Sequence, residues 1–129
     1  MRIGFLVIKN LLRGGGIERF TYEVGSRLSA RGHEVVVFCM GHYGEVRSFG
    51  GMRAIAVPCI AGAASERLSA SLVAMVAALR KRSEFDILHL HTPMTGAFGV
   101  LAKLFGVPTV VQMHGVKHKK TNILYWLWK

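Results

Sequence analysis

The chain has 129 residues, 51% of them hydrophobic and 19% charged, with 17 Lys and Arg against 7 Asp and Glu and a formal charge of +10. That size and apolar content suit one packed domain and exclude a disordered or low-complexity polypeptide. No apolar run reaches the ~20 uninterrupted residues of a membrane-spanning helix.

The basic excess points to an anionic partner: a phosphorylated small molecule, an acidic lipid or nucleic acid. No helix-turn-helix pattern or aromatic-interleaved basic face is present, so nucleic acid is set aside. Residues 1–6 carry one charge and a brief apolar run with no small-residue cleavage site. They read as a first strand rather than a signal peptide. Cys39 and Cys59 are the only cysteines and form no C-x-x-C, so a reduced, cytosolic pair is the expectation.

In chain order, residues 2–8 read as the first strand and 9–16 as a glycine-rich loop. Ile17, Phe20, Thr21, Val24 and Leu28 then recur at helical spacing as one buried stripe. Glu23 and Arg27 are four apart and can pair. Gly32 is placed as a left-handed cap. Residues 35–39 are apolar throughout, as in a central parallel strand. Residues 40–51 read as loop, and 53–57 as a third strand ended by Pro58.

Ser65 opens a second helix to about residue 82, with Leu68, Leu72, Met75, Val76 and Leu79 expected inward. Arg80, Lys81 and Arg82 complement that helix's C-terminal dipole. Residues 86–91 form a fourth strand. Thr92 and Pro93 supply an N-cap and a first-turn proline for a helix running to about residue 105. Gly96 and Gly99 weaken that helix unless they permit close packing. Gly106 caps it, and residues 109–113 form a fifth strand. Strands alternating with amphipathic helices predict an α/β fold with a Rossmann-like, doubly wound, mostly parallel sheet.

In such sheets ligands bind beyond the C-terminal strand ends. Gly14, Gly15 and Gly16, His91 and His114 all fall there. The glycines precede a helix N-terminus, whose free N–H groups and positive dipole end suit a phosphate; they equally suit a tight turn. A dinucleotide fingerprint is rejected, because Arg19 stands where a third glycine is needed and the second strand ends without a carboxylate. His89 and His91 share one strand face and could contribute to a metal-dependent hydrolase. The single aspartate, Asp86, sits at the opposite end of that strand, so no metal is expected. His91 either faces a ligand or is structural. His114, followed by Gly115, can donate to a sugar hydroxyl or stabilise developing charge, or else pair with a loop. No nucleophile elbow, Walker loop or glycosidase carboxylate pair is present.

Gly15-Gly16-Ile17-Glu18, Leu28-Ser29-Ala30-Arg31-Gly32-His33-Glu34-Val35, Asp86-Ile87-Leu88-His89-Leu90-His91 and Val111-Gln112-Met113-His114-Gly115 together resemble the N-terminal half of a family 4 glycosyltransferase of the GT-B fold. The resemblance implies retaining transfer of a sugar from a nucleotide-sugar donor, with no essential metal or other cofactor. It implies Gly15 and Gly16 against the donor diphosphate and His114 as the catalytic histidine. His91 would border the acceptor side, and Glu18 would support the loop. In that family a second domain carries most of the nucleotide-sugar contacts. Residues 1–115 are therefore expected to form the Rossmann-like domain and 116–129 a basic-aromatic, incomplete part of it.

The chain by itself is expected to be inactive and to need a separate C-terminal half. The acceptor is expected to be a carbohydrate or a lipid-linked sugar. Lys117, Lys119 and Lys120 beside Tyr125, Trp126 and Trp128 suit either a missing protein surface or an anionic membrane, at the cytoplasmic face. The competing reading is a non-catalytic binding or assembly module.

Overall fold

The computed structural model describes residues 1–12, 14–44, 47–62 and 65–114. Gly115 and the basic-aromatic segment 116–129 lie outside the described residues. Among the described residues six strands form one sheet: β1 (Arg2–Ile8), β2 (Glu34–Met40), β3 (Ser48–Phe49), β4 (Met52–Val57), β5 (Ile87–Leu90) and β6 (Thr109–Val111). Their spatial order is β3-β4-β2-β1-β5-β6. Of these six, only β3 runs antiparallel to its neighbour; the other pairings are parallel. The chain leaves β1 toward β2 on one side and returns to β5 on the other. The loops after β1 and β5 therefore diverge, which opens the crevice expected at a topological switch point.

β1 and β2 are buried on both faces, and the alternation of their side chains divides the core. Phe5, Val35, Val37 and Cys39 face helix α1 (Gly16–Ala30). Leu6, Val36, Phe38 and Met40 face helix α2 (Ser65–Arg80). α1 packs through Ile17, Phe20, Val24 and Leu28, with Thr21 fully buried. It comes close enough that a Cβ on Gly25 would collide with Sδ of Met52. Arg27 pairs with Glu23 at 3.0 Å, and Gly32 has φ of +86° beyond the helix end.

Three expectations are corrected. α2 turns Ala70, Ala74, Met75 and Ala78 to the sheet, while Leu68, Leu72 and Val76 are exposed. Alanines four apart let the helix backbone lie close to the strands, and that close packing displaced the longer side chains outward. Residues 40–51 are not all loop: a 3-10 turn (Gly41–Tyr43) leads into β3, which forms a hairpin with β4. The single helix expected after Thr92 is two, α3 (Pro93–Gly96) and α4 (Gly99–Leu104). Thr92 caps α3 reciprocally with Thr95. Gly96 lies against Val111 and Gly99 against Leu90 and Thr109, so both glycines serve close approach to the sheet. Among the described residues no helix is long and apolar enough to cross a membrane.

Candidate functional site

α1 starts directly from the glycine loop. Gly15 is its N-cap, extended and without a side-chain hydrogen bond, and Gly16 is its first residue. The first-turn N–H groups of such a helix have no intrahelical acceptor and carry the positive end of the dipole. The two glycines have different reasons. A Cβ on Gly15 would run into the Glu18 carboxylate, whereas one on Gly16 would meet nothing within 4 Å among the described residues. Gly15 is small for the sake of its own loop; Gly16 leaves open space in front of the helix.

Glu18 is 6% exposed. Its Oε1 accepts the Lys9 backbone N–H at 3.1 Å, so the carboxylate ties the start of the loop to the first turn of α1. A buried N–H without that acceptor costs about 1–3 kcal/mol. The loop is held from its other flank by Asn10, which is 3% exposed. Asn10 Nδ2 donates to the carbonyls of Tyr43 and Gly44, both at 3.1 Å, and its Oδ1 accepts Leu12 N–H at 2.8 Å. An asparagine that closes its own backbone turn is recognisable in sequence; its partners 33 and 34 residues away are not.

The histidines form an aromatic cluster under α1. Phe5 stacks on His89 at 4.9 Å between centroids, and His89 stacks on His91 at 4.9 Å. His114 lies 5.5 Å from His91 and 5.3 Å from Phe20 of α1. His89 Nε2 meets Gln112 Oε1 at 3.1 Å. Burial first, and the nearby His114 last, hold His89 below the usual histidine range.

His91 is 2% exposed, and its Nε2 meets Thr21 Oγ1 at 3.1 Å. Burial, followed by the charges of His89, His114 and Arg67, pushes it down to about 3. It is therefore a neutral imidazole at physiological pH. Nδ1 of His91 and Nε2 of His114 are both buried and have no hydrogen-bond partner among the described residues. An unpaired buried ring nitrogen is unfavourable for the fold alone, and such groups concentrate where a ligand supplies the partner.

The fold thus gathers His91, His114 and α1 at one sheet edge, with Glu18 and Gly15 locked together beside them. Gln112 and Asn10 were missed by sequence reasoning. For Gln112 the signal was available, since it directly follows the apolar run of β6 and stands two residues before His114. Among the described residues no group of three His, Cys, Asp or Glu side chains is placed to hold a metal. An open groove of about 360 Å³ runs along Leu11, Gly14, Glu18, Arg19 and Phe49 beside the loop. A larger one of about 490 Å³, along Gly96, Lys103 and Val111, belongs to α4 and β6. It has no titratable cluster, so the chemistry is assigned to the loop and histidine edge instead.

A family model described as Glycosyltransferase Family 4 matches residues 14–129. No protein of curated function matches the chain. Among solved structures, the C-terminal domain of a hydrogenase from Pyrococcus furiosus is similar with a TM-score of 0.59 at 13% identity, over 86% of this chain and 90% of that one. CalG4, the calicheamicin glycosyltransferase, gives a TM-score of 0.54 at 17% identity, over 98% of this chain and 36% of that one. SsfS6, a glycosyltransferase of Streptomyces sp. SF2575 complexed with thymidine diphosphate, gives 0.54 at 19% identity, over 88% of this chain and 38% of that one. These likenesses show a shared Rossmann-like fold. The chain spans little more than a third of the length of the two glycosyltransferases.

Proposed function

The chain belongs to glycosyltransferase family 4 as the N-terminal, Rossmann-like half of a GT-B fold, and we propose that it forms the acceptor-side wall of a retaining, nucleotide-sugar-dependent transferase. The observation that carries this reading is that one sheet edge holds both the uncapped N-terminus of α1 and, against Phe20 of the same helix, His114, whose Nε2 has no partner among the described residues.

In this reading the bond between the donor sugar and its diphosphate breaks, and negative charge collects on the leaving diphosphate. The N–H groups at Gly16 and the following residues, with the positive dipole end of α1, stabilise that charge. Gly15 lets Glu18 fix the loop, and Gly16 leaves room for the phosphates. His114 holds the donor sugar at the reacting carbon through Nε2. An acceptor hydroxyl forms the new bond on the same face and passes its proton to the departing diphosphate oxygen. His91, kept neutral and bonded to Thr21, is a positioning residue: it supports His114 and borders the acceptor. The acceptor is a carbohydrate or lipid-linked sugar. The nucleotide is held by a second GT-B half, and residues 1–129 alone turn nothing over.

The test is transfer from a panel of nucleotide sugars by the chain assembled with a C-terminal GT-B half. His114→Ala is expected to lower kcat by about 100-fold or more, with the thermal unfolding midpoint little changed. Turnover retained in that variant would remove His114 from the reaction.

A further inference from the structure

The two cysteines occupy opposite environments. Cys39 lies in β2 beneath α1 and is 2% exposed. Burial pushes its thiol up to about 11, and its Sγ lies 4.0 Å from the Val37 carbonyl. Such a thiol is inert. Cys59 lies two residues past β4, at the same sheet edge as the glycine loop, and is half-buried. Its Sγ lies 2.8 Å from Nδ1 of His42.

The other nitrogen of His42, Nε2, lies 3.2 Å from Oε2 of Glu66. The Glu66 side chain is 14% exposed and is itself fixed by the Tyr43 hydroxyl, which donates to both carboxylate oxygens at 3.1 Å. The Tyr43 ring also lies against His42, 4.1 Å between centroids. Glu66 accepts from Nε2–H and so selects the tautomer whose Nδ1 lone pair meets the thiol. A nucleophile, a base and a carboxylate that orients the base therefore stand in line. The three come from a turn after β2, a loop after β4 and the first turn of α2. None of them enters the transfer site described above.

We propose that Cys59, His42 and Glu66 form a thiol-modification site that reacts with low-molecular-weight disulfides. The Cys59 proton passes to Nδ1 of His42. The thiolate attacks one sulfur of the disulfide, whose S–S bond breaks as the new Cys59 S–S bond forms. The departing thiolate takes the proton from His42 and leaves as a thiol. Cys59 is oxidised to a mixed disulfide and half of the incoming disulfide is reduced, with no other reactant. His42, which meets the thiol, is followed in sequence by Tyr43 and Gly44, whose carbonyls grip Asn10 of the glycine loop.

The test uses the whole 129-residue chain and the aromatic disulfide dithiobis-nitrobenzoate at neutral pH, with peptide mass mapping to assign the modified sulfur. One equivalent of thionitrobenzoate is expected, from Cys59, about tenfold faster than from free glutathione under the same conditions. Cys59→Ser should abolish the release, and His42→Ala should slow it about tenfold. Cys39 reports the fold in each variant, because it reacts only when the core opens. Should His42→Ala expose Cys39, Glu66→Gln decides, since it keeps the side-chain shape; a several-fold slowing is then expected. Cys59 reacting no faster than glutathione, or at an unchanged rate in the folded variants, overturns the proposal.

Discussion

At the N-terminal edge of the sheet, Arg2 is matched by a cluster of acids. Arg2 bonds Glu34 at 2.6 Å and Glu84 at 2.9 Å through its guanidinium, and its backbone N–H reaches Asp86 at 2.6 Å. At the C-terminal edge of the same strands, α1 begins without a side-chain cap and two buried imidazole nitrogens lack partners among the described residues. One sheet thus carries a satisfied edge and an unsatisfied one. The difference teaches where the molecule gives up stability. Unpaired donors, a neutral buried histidine and open space over Gly16 have no use in a fold that binds nothing, and they are collected where strands end and helices begin.

The largest expected effect tests the unsatisfied edge through pH. His91 is held at about 3 in the folded protein against about 6.5 in an unfolded chain. Below the unfolded value the unfolded chain binds a proton that the native state refuses. Stability therefore falls as pH drops from about 6.5 toward about 3, by about 1.4 kcal/mol per unit. Urea unfolding across that range should show this acid limb, and His91→Gln should flatten it. Parallel limbs in the two proteins would trace the acid sensitivity to other groups. His89, shifted the same way, would be the first to examine.

A smaller effect separates the two glycines. Gly15→Ala drives a methyl into the Glu18 carboxylate and is expected to cost about 1–3 kcal/mol, read as a lower unfolding midpoint. Gly16→Ala meets open space and should leave stability unchanged or slightly raised, since alanine restricts the unfolded chain. Titration of the assembled enzyme with a nucleoside diphosphate should nevertheless show binding weakened about tenfold, the ~1.4 kcal/mol of a lost close approach. Equal affinity in Gly16→Ala would take the diphosphate away from this loop.

The smallest effect belongs to the satisfied edge. Arg2→Ala removes solvent-exposed pairs, so a slight loss of stability is expected, vanishing at high salt, with ligand binding untouched. A loss of transfer activity in that variant would mean that the two edges are not independent.

Much of this was legible in the residues themselves. Strand β1, the stripe of α1, the left-handed Gly32 and the Thr92-Pro93 helix start all rest on local rules of periodicity, capping and backbone conformation. Those rules hold wherever the segment lies. α2 was misread because its apolar residues are almost continuous. With Leu68, Leu72 and Val76 competing against Ala70, Ala74 and Ala78, periodicity alone leaves the inward face open. The close approach of helix to sheet chose the smaller side chains. The hairpin of β3 and β4 was hidden for a similar reason, since two residues of strand carry no periodic signal.

Local patterning was enough to set the alternation of strands and helices, and with it the parallel sheet. It also determined that Gly15, Gly16, His91 and His114 stand at strand ends on one edge, because in such a sheet the position along the strand decides the edge. Which side chains meet was settled by the packing of distant segments. Thr21 and His91 are 70 residues apart, and Cys59 lies 17 from His42. Glu18 could have faced water as easily as Gly15. Such pairings depend on the register of β1 against β2 and β5 and on how closely α1 packs, and these are settled by the burial of the whole core. The edge was written locally; the chemistry on it was assembled by packing.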